Sequence, residues 1–325
     1  MSQLPARPET NRRDFIVGTA LTALGAQLPS AALASTPLSA FDSSSTAEQV
    51  TAGLNLSGKT AVVTGCNSGI GLETMRVLAL RGAHVIGTAR SLEKGQQACS
   101  QVKGRATPVA LELTDFDSVV ACANTIRAMN LPVDMLILNA GIILGDWQQV
   151  NGIEKQFVVN HLGHFILTQR LIERVTDAEQ GRVVVVGSGN HRDAPEGGIQ
   201  FNDLSGKGWS GKGYAHSKLA NGLFSLELSQ RLRKTRATSN CLTPGAVRTN
   251  IRRDMPASAT PDNLKSPAAG AATVCYVAAQ PSLKKVTGEY FKDCNPAPQS
   301  AYQTDRAMAA KLWDVSTQLT RRYLA

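Results

Sequence analysis

Short apolar runs alternate with amphipathic stretches along most of this chain, and this alternation restricts the possible folds more than any other feature. The apolar runs are TAVVT (60–64), HVIGTA (84–89), TPVAL (107–111), MLILNA (135–140), RVVVVG (182–187) and ATSNCL (237–242). Between them, GIGLETMRVLALRG, SLEKGQQACSQVKG, DFDSVVACANTIRAMN and KLANGLFSLELSQRLR place apolar residues three and four positions apart, as in helices packed on one face. Nearly continuous apolar strands separated by helices predict an α/β fold in which helices flank both faces of a doubly wound parallel β-sheet.

The composition changes near residue 58, and this change sets the predicted domain boundaries. Residues 35–57 are polar and rich in Ser, Thr and Ala, which is typical of a tether. The alternating pattern follows without an internal repeat, over a length that suits one large domain. We therefore predict a single domain over 58–325, preceded by a tether over 35–57 and a leader over 1–34.

The leader has the parts of an export signal in order. A polar segment ending in Arg12 and Arg13 precedes an apolar segment from Phe15 to Ala26, and small residues allow cleavage near Ala34. The alternative is a membrane anchor, but the apolar part is shorter than the roughly 20 residues that a stable span needs. The letters NRRDFI resemble the twin-arginine signal of bacterial export, which implies export machinery as a partner and a periplasmic or otherwise exported protein. The protein is expected in the cytoplasm if the signal is not used.

Charge and cysteine usage exclude two classes of site. The formal net charge is +9, but the basic residues are scattered, so no nucleic-acid partner is predicted. The six cysteines show no CxxC motif and no Cys/His ligand spacing, so no metal site is predicted. His161 and His164 lie three apart without a carboxylate partner, which favours packed or surface histidines. A Cys275–Cys294 disulfide stays open as an alternative to two buried thiols.

A glycine-rich turn follows the first predicted strand. The letters TGCNSGIG (64–71) run directly into a predicted helix. Glycines at 65, 69 and 71 allow a sharp turn and a close approach to a pyrophosphate, and the helix N-terminus favours its negative charge. Strand, turn and helix in this order predict a dinucleotide site.

The end of the second strand indicates which dinucleotide is bound. NAD sites carry a carboxylate about 20 residues after the glycine turn, where it binds the ribose hydroxyls. Here Ala89 takes that place and Arg90 follows it. A missing acid and an added guanidinium favour the 2′-phosphate of NADP(H) over NAD(H), although Arg90 read alone could be an ordinary surface residue.

The stretch YAHSK (214–218) opens a predicted helix and carries the chemistry. A spacing of four puts Tyr214 and Lys218 on one helical face, where the ammonium is expected to lower the pKa of the phenol toward the range useful for acid–base catalysis. Ser188 follows an apolar strand at the edge where such sheets bind ligands, so its hydroxyl could donate to a substrate carbonyl.

At these residues the sequence resembles the short-chain dehydrogenase/reductase family, which implies a Rossmann-type fold. The matching features, in the family's order, are TGCNSGIG, Asn139-Ala140-Gly141, Asn160 within FVVNHLGHF, Ser188, YAHSK and Pro244-Gly245. GTARSLEKG, AHSKLAN and the tail GEYFKDC…KLWDVS are similar to the branch of retinol dehydrogenases and WW-domain oxidoreductases.

The resemblance implies roles for individual positions. Tyr214 is expected to be the general acid/base, Lys218 to bind the nicotinamide ribose, and Ser188 to polarise the carbonyl. Asn160 is expected to order a water that completes a proton relay. The predicted cofactor-binding positions are Gly65, Asn67, Ser68, Gly69, Ile70, Gly71, Arg90, Glu112, Leu113, Asn139, Ala140, Gly141, Tyr214, Lys218, Pro244, Gly245, Val247 and Thr249.

Two positions depart from the family pattern. Glu112 stands where an aspartate usually bonds the adenine amino group, and its longer arm puts that contact in doubt. Gly187 replaces the common serine before the catalytic one, which is expected to alter packing rather than chemistry.

Two loop-like segments, 190–213 and 247–266, are expected to form the substrate site. Apolar residues in them could line a cleft or could simply anchor the loops: Ile199, Phe201, Trp209, Ile251 and Met255. The predicted function is NADP(H)-dependent interconversion of a carbonyl and an alcohol on a lipophilic ketone or aldehyde. The resemblance also implies a homodimer or homotetramer with contacts through the helix at Tyr214. The rival hypothesis is a non-enzymatic dinucleotide sensor on the same fold.

Overall fold

The structure is a computed structural model that describes residues 38–253 and 261–324. Ten strands are present in these residues. In chain order they are β1 Thr60–Thr64, β2 His84–Ala89, β3 Ala106–Ala110, β4 Met135–Leu138, β5 Gln149–Val150, β6 Ile153–Glu154, β7 Arg182–Val186, β8 Thr238–Thr243, β9 Tyr290–Lys292 and β10 Asn295–Pro296. Eight of them form one sheet in the order β10-β9-β8-β7-β4-β1-β2-β3, and β5 and β6 form a separate pair. The leader predicted at 1–34 lies outside the described residues.

The large sheet is parallel except at one edge. Neighbouring strands from β3 to β9 pair in parallel, whereas β10 runs antiparallel to β9. Strand β1 pairs with β2 on one side and with β4 on the other, so the winding direction reverses between β1 and β4. In such sheets ligands bind beyond the carboxyl ends of the strands at this reversal.

Helices cover both faces of the sheet. They are α1 Ala47–Val50, α2 Gly69–Leu80, α3 Leu92–Ser100, α4 Phe116–Ala128, α5 Lys155–Phe157, α6 Gly163–Asp177, α7 Gly213–Arg231, α8 Pro267–Ala279 and α9 Arg306–Thr320. Within β1, Ala61 and Val63 pack under α2 and α8, while Val62 packs under α4 and α6. This alternation along a strand buried on both faces is what the continuous apolar runs predict, and it confirms the Rossmann-type α/β fold.

Residues on both sides of the middle of the predicted tether pack against the domain. The helix α1 begins with a capping box between Thr46 and Gln49, and Val50 is fully buried beneath α8. The ring of Phe41 meets the edge of Tyr276, with centroids 6.0 Å apart. The packed part of the chain therefore begins before residue 58, because a few apolar side chains within a polar stretch find partners on α8.

The helix predicted to form a subunit contact is covered within its own chain. In α7, Phe224 stacks on Trp313 of α9, with centroids 5.9 Å apart. Leu223 of α7 packs in one cluster with Leu312 of α9, and the Arg231 guanidinium lies 4.2 Å from the Trp313 ring centre. One face of α7 is thus covered by α9, and a subunit contact through α7 stays a prediction.

Neither a membrane helix nor a disulfide is found in the described part of the chain. No helix there combines the length and the apolar character that crossing a bilayer requires. All six cysteines are free thiols, including Cys275 and Cys294, and the Cys294 sulfur lies 3.8 Å from Thr273 Oγ1.

Candidate active site

A large cavity lies along the carboxyl ends of the parallel strands. Its volume is about 950 Å³, and the loops after β1, β2, β3, β4, β7 and β8 all contribute to its wall. Every predicted cofactor-binding residue lines this cavity, as do Ser188, Tyr214 and Lys218. Asn160 does not line it.

The glycine turn after β1 adopts a conformation that only glycine permits without strain. Gly65 and Gly69 have φ of +69° and +56°. A Cβ on Gly71 would lie 2.1 Å from the Gly65 carbonyl oxygen, so the first turn of α2 sits directly on the loop. The Ser68 side chain does not cap α2. The free backbone N–H groups of this helix start therefore face a space suited to a phosphate.

Hydrogen bonds join the loop after β4 to the end of β1. Thr64 Oγ1 accepts from the backbone N–H groups of Asn139 and Ala140, each at 2.9 Å. Asn139 Nδ2 donates to the Thr64 carbonyl oxygen at 2.8 Å. These bonds hold the two loops at the switch point, so that residues far apart in the sequence share one wall of the cavity.

Arg90 and Glu112 bear on cofactor choice, and they differ in whether the side chain is already held by hydrogen bonds. Arg90 follows β2, is exposed and lines the cavity, while Ala89 leaves no carboxylate there. Glu112 Oε1 accepts from the Thr114 backbone N–H at 2.9 Å and from its hydroxyl at 2.8 Å. The longer side chain of Glu112 is therefore folded back onto its own turn.

Ser188, Tyr214 and Lys218 converge on the cavity from β7 and α7. Lys218 Nζ donates to the carbonyl oxygen of Val186 at 2.9 Å and lies 5.6 Å from the Tyr214 ring centre. Ser188 Oγ accepts from the Asn190 backbone N–H at 3.2 Å and donates to Asn190 Oδ1 at 3.1 Å. The strand end and the first turns of the helix thus bring a hydroxyl, a phenol and an ammonium to one place.

The electrostatics of the phenol differ from the sequence prediction. Burial raises the pKa of Tyr214, while its contact with the Ser188 hydroxyl and the charge of Arg252 act to lower it. Burial also lowers the pKa of Lys218 to about 8. The predicted lowering of the Tyr214 pKa by Lys218 is therefore not found, because removal from water has the largest effect on the phenol and the Lys218 ammonium is directed at Val186 O.

Asn160 lies behind the cavity wall and holds two elements together. It belongs to a π-helical turn, Val158–Leu162, and is completely buried. Its Oδ1 accepts from Ile142 N at 2.8 Å, and its Nδ2 donates to Ile142 O at 3.1 Å and to Ser217 Oγ at 2.9 Å. The Ser217 hydroxyl in turn donates to the Tyr214 carbonyl oxygen at 2.8 Å. The amide therefore positions α7, and the ordering of a water by Asn160 stays a prediction.

The histidines near the motifs are packing residues. His164 Nε2 lies 2.9 Å from Thr64 Oγ1, and His161 Nε2 lies 2.8 Å from Ser316 Oγ. His216 is fully buried, and its ring centre is 4.0 Å from that of Trp209. Burial lowers the pKa of His164 to about 4 and those of the other two to about 3, so all three are neutral at pH 7. Within residues 38–253 and 261–324 there is no cluster of three metal-ligating side chains.

The departure at Gly187 has a packing cause. A Cβ there would lie 2.8 Å from Cys241 Sγ and 3.0 Å from the Leu242 carbonyl oxygen. Cys241 occupies the space that a serine at 187 would need. Cys66, within the cofactor turn, is completely buried, and burial raises the pKa of its thiol to about 12.

The apolar residues predicted to line a substrate cleft mostly pack elsewhere. Ile199 and Phe201 belong to a core cluster with α7 and α9, and Trp209 packs on His216. Ile251 lines the cavity, and Met255 lies outside the described residues. Loop position alone does not reveal whether an apolar side chain faces a ligand or the core. Here Ile199, Phe201 and Trp209 pack against other parts of the protein.

The sequence prediction missed Tyr290 and Lys292 among the cavity residues, and it did not single out Arg192 within the predicted substrate segment 190–213. Arg192 follows Ser188 by four residues, a signal that proximity to the motif could have supplied. Tyr290 and Lys292 lie in GEYFKDC, which the sequence reading used only as a marker of a family branch. No spacing rule connects that strand to Ser188, because the connection is made by the sheet.

Known proteins share both the sequence and the fold. Residues 59–259 match the family model of the short chain dehydrogenases. The chain is 37% identical over 302 residues to short-chain dehydrogenase TIC 32 B, chloroplastic, of Brassica napus, covering 86% of this chain and 94% of the relative. It is 36% identical to the WW domain-containing oxidoreductase of Homo sapiens, covering 87% and 73%, and 36% identical to retinol dehydrogenase 12 of Mus musculus, covering 83% and 88%.

A solved structure agrees with these relatives. The crystal structure of an uncharacterized protein from Mycobacterium paratuberculosis superposes with a TM-score of 0.70 at 32% identity, over 84% of this chain and 97% of that one. The glycine turn, the Ser–Tyr–Lys convergence and these matches lead to one conclusion. The chain belongs to the short-chain dehydrogenase family, a family of oxidoreductases that bind a nicotinamide dinucleotide.

Proposed function

We propose that the protein is an NADP(H)-dependent oxidoreductase that interconverts a carbonyl and an alcohol, with Tyr214 as the general acid/base. The observation that carries this proposal is that Ser188, Tyr214 and Lys218 line the same cavity as the glycine turn. A reacting carbonyl bound in this cavity has a phenol and a hydroxyl available on one side, next to the place for a nicotinamide.

The cavity fits a dinucleotide. The start of α2 at Gly69 and the absence of a side chain at Gly71 leave room for a pyrophosphate against the backbone. A Cβ on Gly69 would meet Thr249 Cγ2 at 2.8 Å, so the loop after β8 closes over the same helix start. Gly141 and Lys218 lie at the other end of this wall, since a Cβ on Gly141 would be 3.6 Å from Lys218 Nζ.

The preference for NADP(H) rests on Arg90. Its guanidinium stands at the end of β2 without a neighbouring acid at position 89, so it can bind the 2′-phosphate in bidentate fashion. Position 89 discriminates against NAD(H), because Ala89 has no carboxylate to bind the free ribose hydroxyls.

Four residues of the chain have separate roles at or near the reacting centre. When bound, the cofactor supplies or accepts the hydride. Tyr214 Oη donates a proton to the carbonyl oxygen during reduction and takes it back during oxidation. Ser188 Oγ turns its hydrogen bond from Asn190 Oδ1 to that oxygen and polarises the carbonyl. Lys218 contributes positive charge and binds ribose hydroxyls, and Asn160 fixes the start of α7 through Ser217.

A screen with purified protein tests this proposal. We expect the wild-type protein to consume NADPH in the presence of aldehydes or ketones, at a rate at least about 100-fold above that of Ser188→Ala, as the loss of one oxyanion donor predicts. Lys285→Gln, an exposed substitution outside the cavity, serves as the control and is expected to keep full turnover. A wild-type protein that binds NADPH tightly and reduces nothing in a broad panel contradicts the proposal and favours a dinucleotide sensor.

For its location, we propose that the leader exports the folded protein with its cofactor already bound. The twin-arginine-like letters in residues 1–34 support this proposal, because that route carries folded proteins and free NADPH is not expected outside the cytoplasm. Fractionation of the source cells is the test. Recovery only from the cytoplasm, with residues 1–34 intact, contradicts export.

A further inference from the structure

A buried phenol that the proposed reaction does not use faces the far half of the cavity. Tyr290 in β9 lines the cavity and is only 1% exposed. Its Oη forms no hydrogen bond with any residue of the described ranges 38–253 and 261–324. Since a buried hydroxyl without a partner is unfavourable, this group points to a partner that the chain itself does not supply.

The neighbouring hydroxyl does not satisfy Tyr290. Thr243 is close enough to act on the pKa of Tyr290, but the two side chains do not meet with hydrogen-bond geometry. Thr243 Oγ1 already accepts from Gly189 N at 3.2 Å and from Gly245 N at 3.3 Å. The Tyr290 hydroxyl therefore has no hydrogen-bond partner among the described residues, and its oxygen is buried in the wall of the cavity.

The ring of Tyr290 is held in place by its surroundings. It makes an edge contact with the His191 ring, with centroids 5.2 Å apart, and His191 Nδ1 lies 2.7 Å from the Ser188 carbonyl oxygen. Its backbone pairs with Cys241 in β8 and accepts from Ala297 N at 2.8 Å. These contacts hold the ring at the cavity wall, where a small side-chain shift brings its hydroxyl to a ligand.

Two cations line the cavity close to this phenol. Lys292 lies two residues along β9, so its side chain leaves the strand on the same face as Tyr290. Arg192 belongs to the 3-10 helix Gly189–Asp193 that follows Ser188, and it donates to the Pro298 carbonyl oxygen. Both side chains are exposed, and the charge of Arg192 acts on Tyr290.

Neither cation is neutralised by the chain. Among the described residues, no carboxylate forms an ion pair with Arg192 or Lys292. Asp293, the acid next to Lys292 in sequence, is paired instead with Lys265 at 2.5 Å. Positive charge that is not held in an ion pair, beside an unpartnered donor, is an arrangement that suits an anion.

This region is separate from the part of the cavity suited to the cofactor. The glycine turn, Arg90 and Glu112 follow β1, β2 and β3, whereas Tyr290 and Lys292 belong to β9. In the sheet, β4, β7 and β8 lie between β1 and β9. Ser188 and Tyr214 stand between the two regions, so an anion held near Tyr290 lies on the substrate side of the reacting centre.

We propose that Tyr290, Arg192 and Lys292 bind a carboxylate of the substrate, so that the substrate is an aldehyde or ketone carrying an acidic group. Tyr290 Oη donates one hydrogen bond to the carboxylate, Arg192 offers paired N–H donors, and Lys292 adds a point charge. This inference rests on the proposed function and narrows its substrate class from carbonyl compounds in general to oxo acids, in place of the lipophilic carbonyls that the sequence predicts.

Matched substrate pairs test the proposal on the full-length protein. Each pair consists of an oxo acid and its methyl ester, for example 4-formylbenzoate and methyl 4-formylbenzoate, together with linear oxo acids of increasing length. Binding is measured by calorimetry on protein saturated with NADP⁺, and turnover by NADPH consumption. We expect at least one pair in which the acid binds and reacts at least about tenfold better than the ester, as hydrogen bonds to a charged group imply. The preference should shrink as salt is raised.

Variants with matched controls identify the residues. Tyr290→Phe keeps the ring that packs on His191, and we expect it to lower affinity for the acid about tenfold and leave the ester unchanged. The double variant Arg192→Gln, Lys292→Gln should remove the remaining preference. The controls should preserve it: Tyr276→Phe, a buried tyrosine outside the cavity, and the exposed pair Arg233→Gln, Lys285→Gln.

The outcomes separate this inference from the proposed function. Equal binding of acids and esters, with turnover of both, overturns the carboxylate site and leaves the reductase intact. Preferential binding of acids that depends on Tyr290, without turnover of any carbonyl, supports the site and contradicts the reductase. Binding of neither member of any pair overturns the site, and so does an acid preference that survives Tyr290→Phe and the double variant.

Discussion

Replacement of Lys218 by methionine is expected to stabilise the protein while removing its proposed activity. Lys218 is 3% exposed, and its pKa falls from 10.5 to about 8 because its charged form is taken out of water. A folded state that holds a buried ammonium at pH 7 is therefore less stable than one with an apolar side chain of similar length. Methionine is flexible enough to fill the same space.

The magnitude follows from the shift of the pKa. A displacement from 10.5 to about 8 corresponds to a penalty of about 3 kcal/mol below pH 8. The hydrogen bond from Nζ to Val186 O offsets part of it, since hydrogen bonds to charged groups contribute about 1.5–3 kcal/mol. The net gain expected for Lys218→Met at pH 7 is about 1 kcal/mol.

The dependence on pH has a definite sign. Between the folded pKa near 8 and the unfolded value of 10.5, the unfolded chain binds more protons at this site than the folded protein. The stability of the wild type therefore rises by about 2–3 kcal/mol from pH 7 to pH 10 relative to Lys218→Met, so the advantage of the variant at pH 7 reverses by pH 10. Below pH 8 the advantage is constant.

Urea unfolding without added nucleotide measures both quantities. The unfolding free energies of the wild type, Lys218→Met and the exposed control Lys285→Met are compared at pH 7 and pH 10. The control should show no difference from the wild type that depends on pH. A Lys218→Met variant less stable than the wild type at pH 7, or a difference that stays constant to pH 10, refutes the reasoning about the buried ammonium.

Three further substitutions test the cofactor end and the packing around the site. Arg90→Ala should lower kcat/KM for NADPH by about 10- to 100-fold with little change for NADH, as loss of charged hydrogen bonds predicts; equal losses for both cofactors contradict a 2′-phosphate site. Gly187→Ala should destabilise the fold by about 1–3 kcal/mol through its clash with Cys241 Sγ, and Cys241→Ala in the same chain should recover part of that loss in urea unfolding. Gly71→Ala should weaken NADPH binding and lower stability, because its Cβ would press on the Gly65 carbonyl oxygen. An ordinary helical Gly→Ala change stabilises by about 0.4–1 kcal/mol, so the sign of the effect is the readout.

The strands and the cofactor turn were predictable because their signals are local. TAVVT and HVIGTA are buried on both faces, so their apolar runs begin and end where β1 and β2 do. The glycines of TGCNSGIG are required by the φ values and close contacts of a single turn. Tyr214 and Lys218 share a helical face at a spacing fixed by the helix itself.

What could not be predicted depends on contacts between distant segments. Phe201 and Trp209 are apolar residues in loops, and only the packed chain shows that they join α9 and His216 rather than a ligand. The cover of α9 on α7 depends on Trp313, about a hundred residues from Tyr214 in sequence. The presence of Tyr290 in the same cavity as Ser188 follows from strand order, which no spacing in the sequence encodes.

The central claim is that Tyr214 delivers the proton while a hydride passes between cofactor and carbonyl. Single-turnover transfer from NADPH deuterated at C4 measures this step directly, through the deuterium that appears on the carbinol carbon. We expect Tyr214→Phe to bind NADPH with unchanged affinity and to slow this transfer by about 100- to 10,000-fold, the contribution of a positioned general acid. Transfer at the wild-type rate in Tyr214→Phe contradicts the account.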